Sequence, residues 1–386
     1  PTITLMNSNF DWESQYEAGL RKWDKYGPDF IPAWVAEHDL GSPPAVYERL
    51  RDVVSSGSFG YHDEDTKLGE SFAFWANARN SWKINPELVI PTVTVLQGVA
   101  ACVEAFSSIG DGILYNTPSY PPFLDLPSHA KRRSVEWPLI KSATGWHYDI
   151  ESLEKILKDD NGIRILLLCN PHNPTGIVLK EYELAQIVNL CHEHDLILLS
   201  DEIHSDFIYK ESTHIPTLTI DGADSLTITL TSGAKSFALA GLRCAVAIAG
   251  NDLLKEKLLE VPKFLLGGAN RMGCEATTAA WETGVTWMDE LIHTFDDRRS
   301  HLKSRLDEEI PKAKMFLPDS TFLAWIDLSE FNPGDNPAKW LREKTGVACG
   351  NGTDFGSGGE NHVRFTFGTS LNLLDEMIDR IIKGLT

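Results

Sequence analysis

The sequence predicts an α/β fold, with a large domain on a mostly parallel sheet and a smaller α/β domain at the C-terminal end. Three observations carry that prediction. The runs at 163–169 and 196–200 are near-continuous in apolar residues, as strands buried on both faces are. Helix-periodic segments alternate with them. Polar motifs rich in Gly and Pro repeatedly sit just after strands, the edge at which open α/β sheets bind ligands.

Bulk properties narrow the function. With 386 residues the chain can form two or three domains and a large core. Its 42% hydrophobic and 23% charged content is that of a globular protein. A formal net charge of -20 argues against nucleic-acid and anionic-membrane partners. The six cysteines, Cys102, Cys169, Cys191, Cys244, Cys274 and Cys349, include no C-x-x-C pair, so neither disulfides nor a metal site is expected. The first twelve residues lack a basic region followed by an apolar run, and no stretch approaches 18 uninterrupted apolar residues, so a cytoplasmic location is expected.

In chain order, residues 1–45 read as an N-terminal arm belonging with the smaller domain, and they include the extended-looking segment at 32–39. Helices are expected at 45–55 and 66–80, separated by the glycine-punctuated turn Gly57-Ser58-Phe59-Gly60-Tyr61-His62. Gln97-Gly98-Val99-Ala100 reads as the start of a helix whose small residues leave N–H groups accessible to a phosphate. A strand at 113–115 runs into Thr117-Pro118-Ser119-Tyr120-Pro121-Pro122-Phe123, read as a proline-fixed loop that holds Tyr120. After a helix at 150–157 come the strand at 163–169 and Asn170-Pro171-His172-Asn173-Pro174-Thr175-Gly176. A helix around Leu184 and Cys191 leads to the strand at 196–200 and to Asp201-Glu202-Ile203-His204-Ser205-Asp206. Strands at 226–231 and 244–248 extend the sheet, helices at 270–282 and 286–309 leave it, and strand, helix, strand, helix follow from Lys314. The expected large domain is 46–285 and the smaller one 286–386.

Lys235 is the residue around which these motifs are organised. It lies among small residues between two buried strands, where an ammonium is costly unless paired or deprotonated. Ser232 and Arg243 flank it and are free to hold an anion. Singly, each landmark has a plain explanation. Asp201 can be a helix cap, Asn173 a turn residue, Arg243 a surface ion-pair partner, Arg364 an edge-strand charge and Tyr120 a packing ring. Jointly they supply what a phosphorylated aromatic aldehyde cofactor needs. Lysine forms an imine, a carboxylate keeps a pyridine nitrogen protonated, an amide and an imidazole bond a ring hydroxyl, and an arginine with helix N–H groups takes phosphate. A nicotinamide fingerprint, G-x-G-x-x-G after an early strand, is absent from the sequence.

The ordered set Asn173-Pro174-Thr175-Gly176, the run at 201–206, Ser232-x-x-Lys235 with Arg243, and Arg364 resembles the fold-type I pyridoxal-phosphate-dependent aminotransferase superfamily. The run at 201–206 and Trp34-Val35-Ala36-Glu37-His38-Asp39 resemble its MalY/PatB group of cystathionine β-lyases. The resemblance implies a seven-stranded sheet, pyridoxal 5'-phosphate as cofactor, and a homodimer with shared sites. It implies Lys235 as the imine-forming and catalytic lysine, Asp201 against the pyridine nitrogen, Asn173 against the ring hydroxyl, Tyr120 stacked on the ring and His204 beside it. Gly98, Val99, Ala100, Ser232 and Arg243 would hold phosphate. Arg364, with Ala36 and Asn173, would bind substrate, and Tyr61 would enter the neighbouring subunit's site. Ala238 and the pair Glu37-His38 depart from the family pattern. The function implied is cleavage of L-cystathionine or related cysteine S-conjugates to a thiol, pyruvate and ammonia, in sulfur amino-acid metabolism. The alternatives are an aminotransferase with the same site and a non-catalytic regulatory member of the fold.

Overall fold

The apolar run at 163–169 lies inside a seven-stranded sheet, with neighbours on both sides. The computed structural model describes residues 13–61 and 65–386; residues 1–12 of the expected arm and His62 of the turn lie outside the described residues. The strands are β1 (Ile31–Ala33), β2 (Val89–Thr92), β3 (Gly112–Thr117), β4 (Arg133–Pro138), β5 (Ile140–Lys141), β6 (Trp146–His147), β7 (Ile163–Cys169), β8 (Ile197–Asp201), β9 (Thr227–Thr231), β10 (Ala245–Ala249), β11 (Lys314–Met315), β12 (Leu323–Asp327), β13 (Val347–Asn351) and β14 (His362–Thr366). The first sheet has the order β2-β10-β9-β8-β7-β3-β4. Its β4, β3, β7, β8 and β9 pair in parallel, and β10 runs against both of its neighbours. The second has the order β1-β13-β14-β12-β11, so a strand from residues 31–33 edges a sheet made otherwise from the C-terminal part.

The helices that position the site are α1 (Pro44–Ser56), α2 (Asp65–Asn80), α3 (Val95–Phe106), α4 (Pro121–His129), α5 (Ile150–Asp159), α6 (Glu181–Glu193), α7 (Gly233–Ser236), α8 (Asp252–Leu259), α9 (Arg271–Thr283), α10 (Val285–Glu309), α11 (Pro337–Thr345) and α12 (Leu371–Leu385). Local chemistry explains their ends. The side chains of Thr94, Asp149, Asn270 and Ser370 each accept a backbone N–H of the first helical turn. α4 replaces the expected proline loop: Pro121 and Pro122 occupy its first turn, where a missing N–H costs nothing and the fixed φ suits the helix. β2 and β4 had no counterpart in the sequence reading because both are sheet edges. β2 tolerates Pro91 there, and β4 carries exposed charges. From Lys314 on, two strands precede α11 and two follow it, where one of each was expected.

Buried apolar clusters lie against both sheets, Ala324 and Ile326 of β12 in one and Trp325 in another. Trp137 and Trp281 are among the core's fully buried side chains, each stabilising the fold by about 1.5–3 kcal/mol or more. All six cysteines are buried and free. Among the described residues no helix is long and apolar enough to cross a membrane.

Candidate active site

In the first sheet the strand order reverses between β3 and β7. β3 and β4 fill one flank, while β7, β8 and β9 succeed each other along the other. Such a switch point leaves a crevice at the carboxyl ends of the strands. Tyr120 follows β3, Asn173 follows β7, Asp201 ends β8, and Lys235 follows β9 on α7. Arg364 reaches them from β14 of the other sheet, its Nη1 donating to Asn173 Oδ1 at 3.0 Å. The Asn-Pro-Thr-Gly turn that carries Asn173 approaches the chain closely, since a Cβ on Gly176 would stand 2.5 Å from Pro318 Cβ, and its φ is +73°.

Lys235 is part-buried, and its Nζ donates to the Ala36 carbonyl at 2.7 Å. Burial holds its pKa down to about 8. Glu37 opposes that shift, Arg364 adds to it and Asp201 opposes it. Ala36 belongs to a strap, residues 34–37, whose four successive carbonyls are all taken by side chains. Trp34 accepts from Arg364 Nη2 at 2.9 Å, Val35 from Thr366 Oγ1 at 2.7 Å, Ala36 from Lys235, and Glu37 from Lys22 Nζ at 3.3 Å. A buried ion pair between Lys22 and Asp39, 2.6 Å long, pins the end of the strap.

Asp201 is buried, and burial pushes its pKa up to about 7, Glu202 adding to the shift against the Ile203 N–H and Lys235. Its Oδ1 accepts the Ile203 N–H at 3.1 Å. Burial also holds the imidazoles of His204 and His172 down to about 3, so both are neutral, with His204 Nδ1 and His172 Nε2 buried and unpartnered. The Tyr120 hydroxyl is raised by burial, with Arg364, Asp201, Cys169 and Arg243 all acting on it. These residues share one crevice.

The phosphate end differs from the sequence reading. α3 begins at Val95, not Gln97, with Thr94 as its cap. Gly98, Val99 and Ala100 therefore lie in the second turn, and the Gly98 N–H is spent on the Thr94 carbonyl at 2.9 Å. Gly98 is small for packing: a Cβ there would stand 2.7 Å from Leu230 Cδ2 of β9. The N–H groups with no acceptor inside the helix belong to Val95 and Leu96, because that of Gln97 bonds the Thr94 hydroxyl at 3.1 Å. The Thr-x-x-Gln spacing of a capping box at 94–97 was the signal that identifies this start. Ser232 Oγ caps α7 through the Ala234 N–H and donates to the Cys244 carbonyl at 2.6 Å, so its proton is already engaged. Arg243 is exposed in the left-handed region at φ 52°, and its guanidinium has no hydrogen-bond or ion-pair partner among the described residues.

Tyr61 is fully exposed and is not brought to this crevice within its own chain. The segment at 34–39 was singled out in the sequence, but not the roles of the Trp34 carbonyl, which is a backbone group, and of Glu37, which acts on Lys235 through its charge.

The donor set suits a phosphorylated pyridine aldehyde. An amine of low pKa can condense with the aldehyde, a buried carboxyl can face the ring nitrogen, and the His204 imidazole, with Nδ1 unpartnered, and the Asn173 amide nitrogen can face ring substituents. Arg243 and the start of α3 offer unspent donors to a phosphate.

Comparison with known proteins agrees. The family model described as "Aminotransferase class I and II" matches residues 36–381. Cystathionine beta-lyase PatB of Bacillus subtilis (strain 168) is 33% identical over 374 residues, covering 95% of this chain and 96% of that protein. The PLP-bound C-S lyase from Staphylococcus hominis superposes with a TM-score of 0.91 at 28% identity, covering 98% of each chain. Cystalysin from Treponema denticola, whose structure contains a pyridoxal 5'-phosphate cofactor, superposes with a TM-score of 0.88 at 27% identity, covering 98% of this chain and 95% of that one.

Proposed function

Because this chain belongs to the aminotransferase class I and II family and is a pyridoxal 5'-phosphate-dependent enzyme, we propose that it is a carbon-sulfur β-lyase. Its substrates are L-cystathionine or related cysteine S-conjugates, and its products are a thiol, pyruvate and ammonia. The observation that carries the reading is the placement of Lys235, with its amine near pKa 8, beside Asp201 and Arg364 in one crevice. The cysteine S-conjugate preference is supported by relatives named as cystathionine β-lyase and C-S lyase.

When bound, the cofactor supplies an aldehyde that condenses with amines and a ring that accepts carbanion electrons. Asp201 would hold the proton on the pyridine nitrogen, and Asn173 and His204 would serve the ring substituents. Tyr120 would line the ring's site. Arg243, Val95 and Leu96 would hold the phosphate. Arg364 receives the substrate α-carboxylate, using its unpartnered Nε alongside one Nη. Lys235 as a neutral amine would take the proton from the substrate Cα, the electron pair left there would form the Cα–Cβ double bond as the Cβ–S bond breaks and the thiolate leaves, and water would hydrolyse the remaining product to pyruvate and ammonia. Residues 46–285 serve as the cofactor-binding unit, and 286–386 with the arm as the smaller one. Tyr61 serves the site of a second copy.

The test is an incubation of purified protein with L-cystathionine and no keto acid. Stoichiometric pyruvate and free thiol are expected. Amino transfer that requires a keto acid, with no thiol released, would overturn the lyase reading in favour of an aminotransferase.

A further inference from the structure

The run at 201–206 holds a carboxylate that the chemistry above leaves unused. Asp206 is 8% exposed and has no Lys or Arg within ion-pair distance among the described residues. A carboxylate in such a place is costly unless its oxygens are hydrogen-bonded. Both are. Oδ1 accepts the indole N–H of Trp75 on α2 at 3.0 Å, and Oδ2 accepts the hydroxyl proton of Ser236. Ser236 is fully buried and is the residue next to Lys235.

The turn that carries Lys235 cannot hold itself. α7 has four residues, far short of a helix that is stable alone. It is therefore fixed from outside. Ser232 ties its start to the Cys244 carbonyl at 2.6 Å, and Ser42 Oγ holds the Phe237 carbonyl just past its end at 2.6 Å. Among the described residues, the Ser236–Asp206 hydrogen bond is the one that ties a side chain of the turn to the loop that follows Asp201. The β8–β9 pairing, with the Glu202 N–H on the Leu230 carbonyl at 2.8 Å and Thr231 Oγ1 on the Glu202 carbonyl at 3.3 Å, registers the strand ends, and the Asp206–Ser236 bond adds a tie at the lysine's turn itself.

We propose that Asp206 is a positioning residue for Lys235: through Ser236 it ties the lysine's turn to the loop bearing Asp201, and through Trp75 it anchors both to α2. The proposal rests on Lys235 being the lysine that the cofactor joins.

The test compares holoenzymes of wild type, Asp206→Asn, Ser236→Ala and Ser236→Thr. Four quantities are read: kcat and KM on L-cystathionine, the pH midpoint of the bound cofactor's visible absorption, and the thermal midpoint. Ser236→Ala should lower kcat by about tenfold with KM nearly unchanged, as a small misplacement of a reacting group does. It should also move the absorption midpoint. Ser236→Thr, which keeps the hydroxyl, should restore both. The double variant Asp206→Asn/Ser236→Ala should show much less loss than the product of the two single losses, since the first change leaves one acceptor oxygen for two donors and the second removes one of those donors. Wild-type kcat and absorption midpoint in Ser236→Ala would overturn the proposal. So would losses that track thermal stability with the absorption unmoved, which make Asp206 an anchor of the fold alone. Borohydride fixation of the cofactor in wild type, mapped by mass spectrometry, separates the two levels. An adduct away from Lys235 defeats the site reading and this proposal with it. An adduct at Lys235 with an unmoved midpoint defeats this proposal only. The absorption midpoint is informative whichever substrate the enzyme prefers.

Discussion

Replacing Arg364 by Lys keeps the charge and removes the fork. Arg364 is 7% exposed and uses one Nη on Asn173 Oδ1 and the other on the Trp34 carbonyl, with Nε buried and unpartnered. Burial brings its pKa down only to about 10, so it is cationic at neutral pH. A carboxylate arriving from the crevice can take two parallel N–H donors while the remaining donors keep Asn173 oriented. A lysine ammonium is a point donor that cannot serve Asn173, Trp34 and a bidentate carboxylate together. Hydrogen bonds to charged groups contribute about 1.5–3 kcal/mol each. Loss of one of the parallel pair should therefore lower kcat/KM about 10- to 150-fold. Because the bond exists before and during the reaction, the loss should fall mainly on KM. Steady-state kinetics on L-cystathionine, paired with spectrophotometric titration of cofactor, checks this. The Trp34 carbonyl also loses a partner at a cost of about 1–3 kcal/mol, so both assays belong well below the thermal midpoint. Near-normal kcat/KM, or equal loss of cofactor and substrate binding, would refute the reasoning and make Arg364 a structural arginine.

Other outcomes follow from the same geometry. Asp201→Ala should retain some cofactor but lose roughly a thousandfold in kcat, since an electrostatic partner of developing charge is removed; near-normal turnover would contradict its role. Gly98→Ala should cost about 1–3 kcal/mol by overpacking against Leu230 while leaving cofactor affinity intact, whereas Thr94→Ala should weaken cofactor retention; the opposite pattern in melting and titration would restore Gly98 to the phosphate site. In the apoprotein, Lys235 has a folded pKa near 8 against 10.5 unfolded, so its burial penalty is present below about pH 8 and fades as pH rises towards 10.5; the stability advantage of Lys235→Met should shrink over that window, and a pH-independent advantage would sink the assignment. Mixed dimers of Tyr61→Phe and Lys235→Ala chains should recover up to about half of wild-type activity per dimer if Tyr61 completes a second copy's site, and exchanged subunits with no recovery would place Tyr61 elsewhere.

The buried strands β7 and β8 and the motifs after them were legible because a continuous apolar run followed by Asn-Pro or Asp-Glu has few other structural meanings. Asp201, Asn173, Tyr120 and Arg364 each have a plain explanation singly, and it is as an ordered set with Lys235 that they stand out in the sequence. Edge strands β2 and β4 were not, since an edge carries prolines and charges that read as loop. The start of α3 was misread by two residues. Small size at 98–100 pointed to a phosphate, but the same small size serves close packing of the helix on β9, and only the cap at Thr94 distinguishes the two. Asp206 was visible within its motif, yet nothing local joins it to Ser236, thirty residues on.

The strap at 34–37 shows most clearly why part of a site escapes reading by residue type. Its contribution is backbone: neutral carbonyls hold the Lys235 amine and the Arg364 guanidinium, where carboxylates would hold them far more tightly. On the proposed reading both cations must exchange these partners, Lys235 for the cofactor aldehyde and Arg364 for the substrate carboxylate. A neutral acceptor satisfies each donor while the crevice is open and is displaced at modest cost, whereas a fixed carboxylate would compete with the ligand. The strap must also stay in register with the residues it serves. Thr366, on the same strand as Arg364, holds the Val35 carbonyl between the two, so any shift of β14 carries the arginine and the strap together. Lys22, held to Asp39, keeps the far end from following the ligand into the crevice. Val35 and Ala36 thus belong to the site for what their peptide groups accept, a property that every residue shares and that no side-chain pattern can reveal.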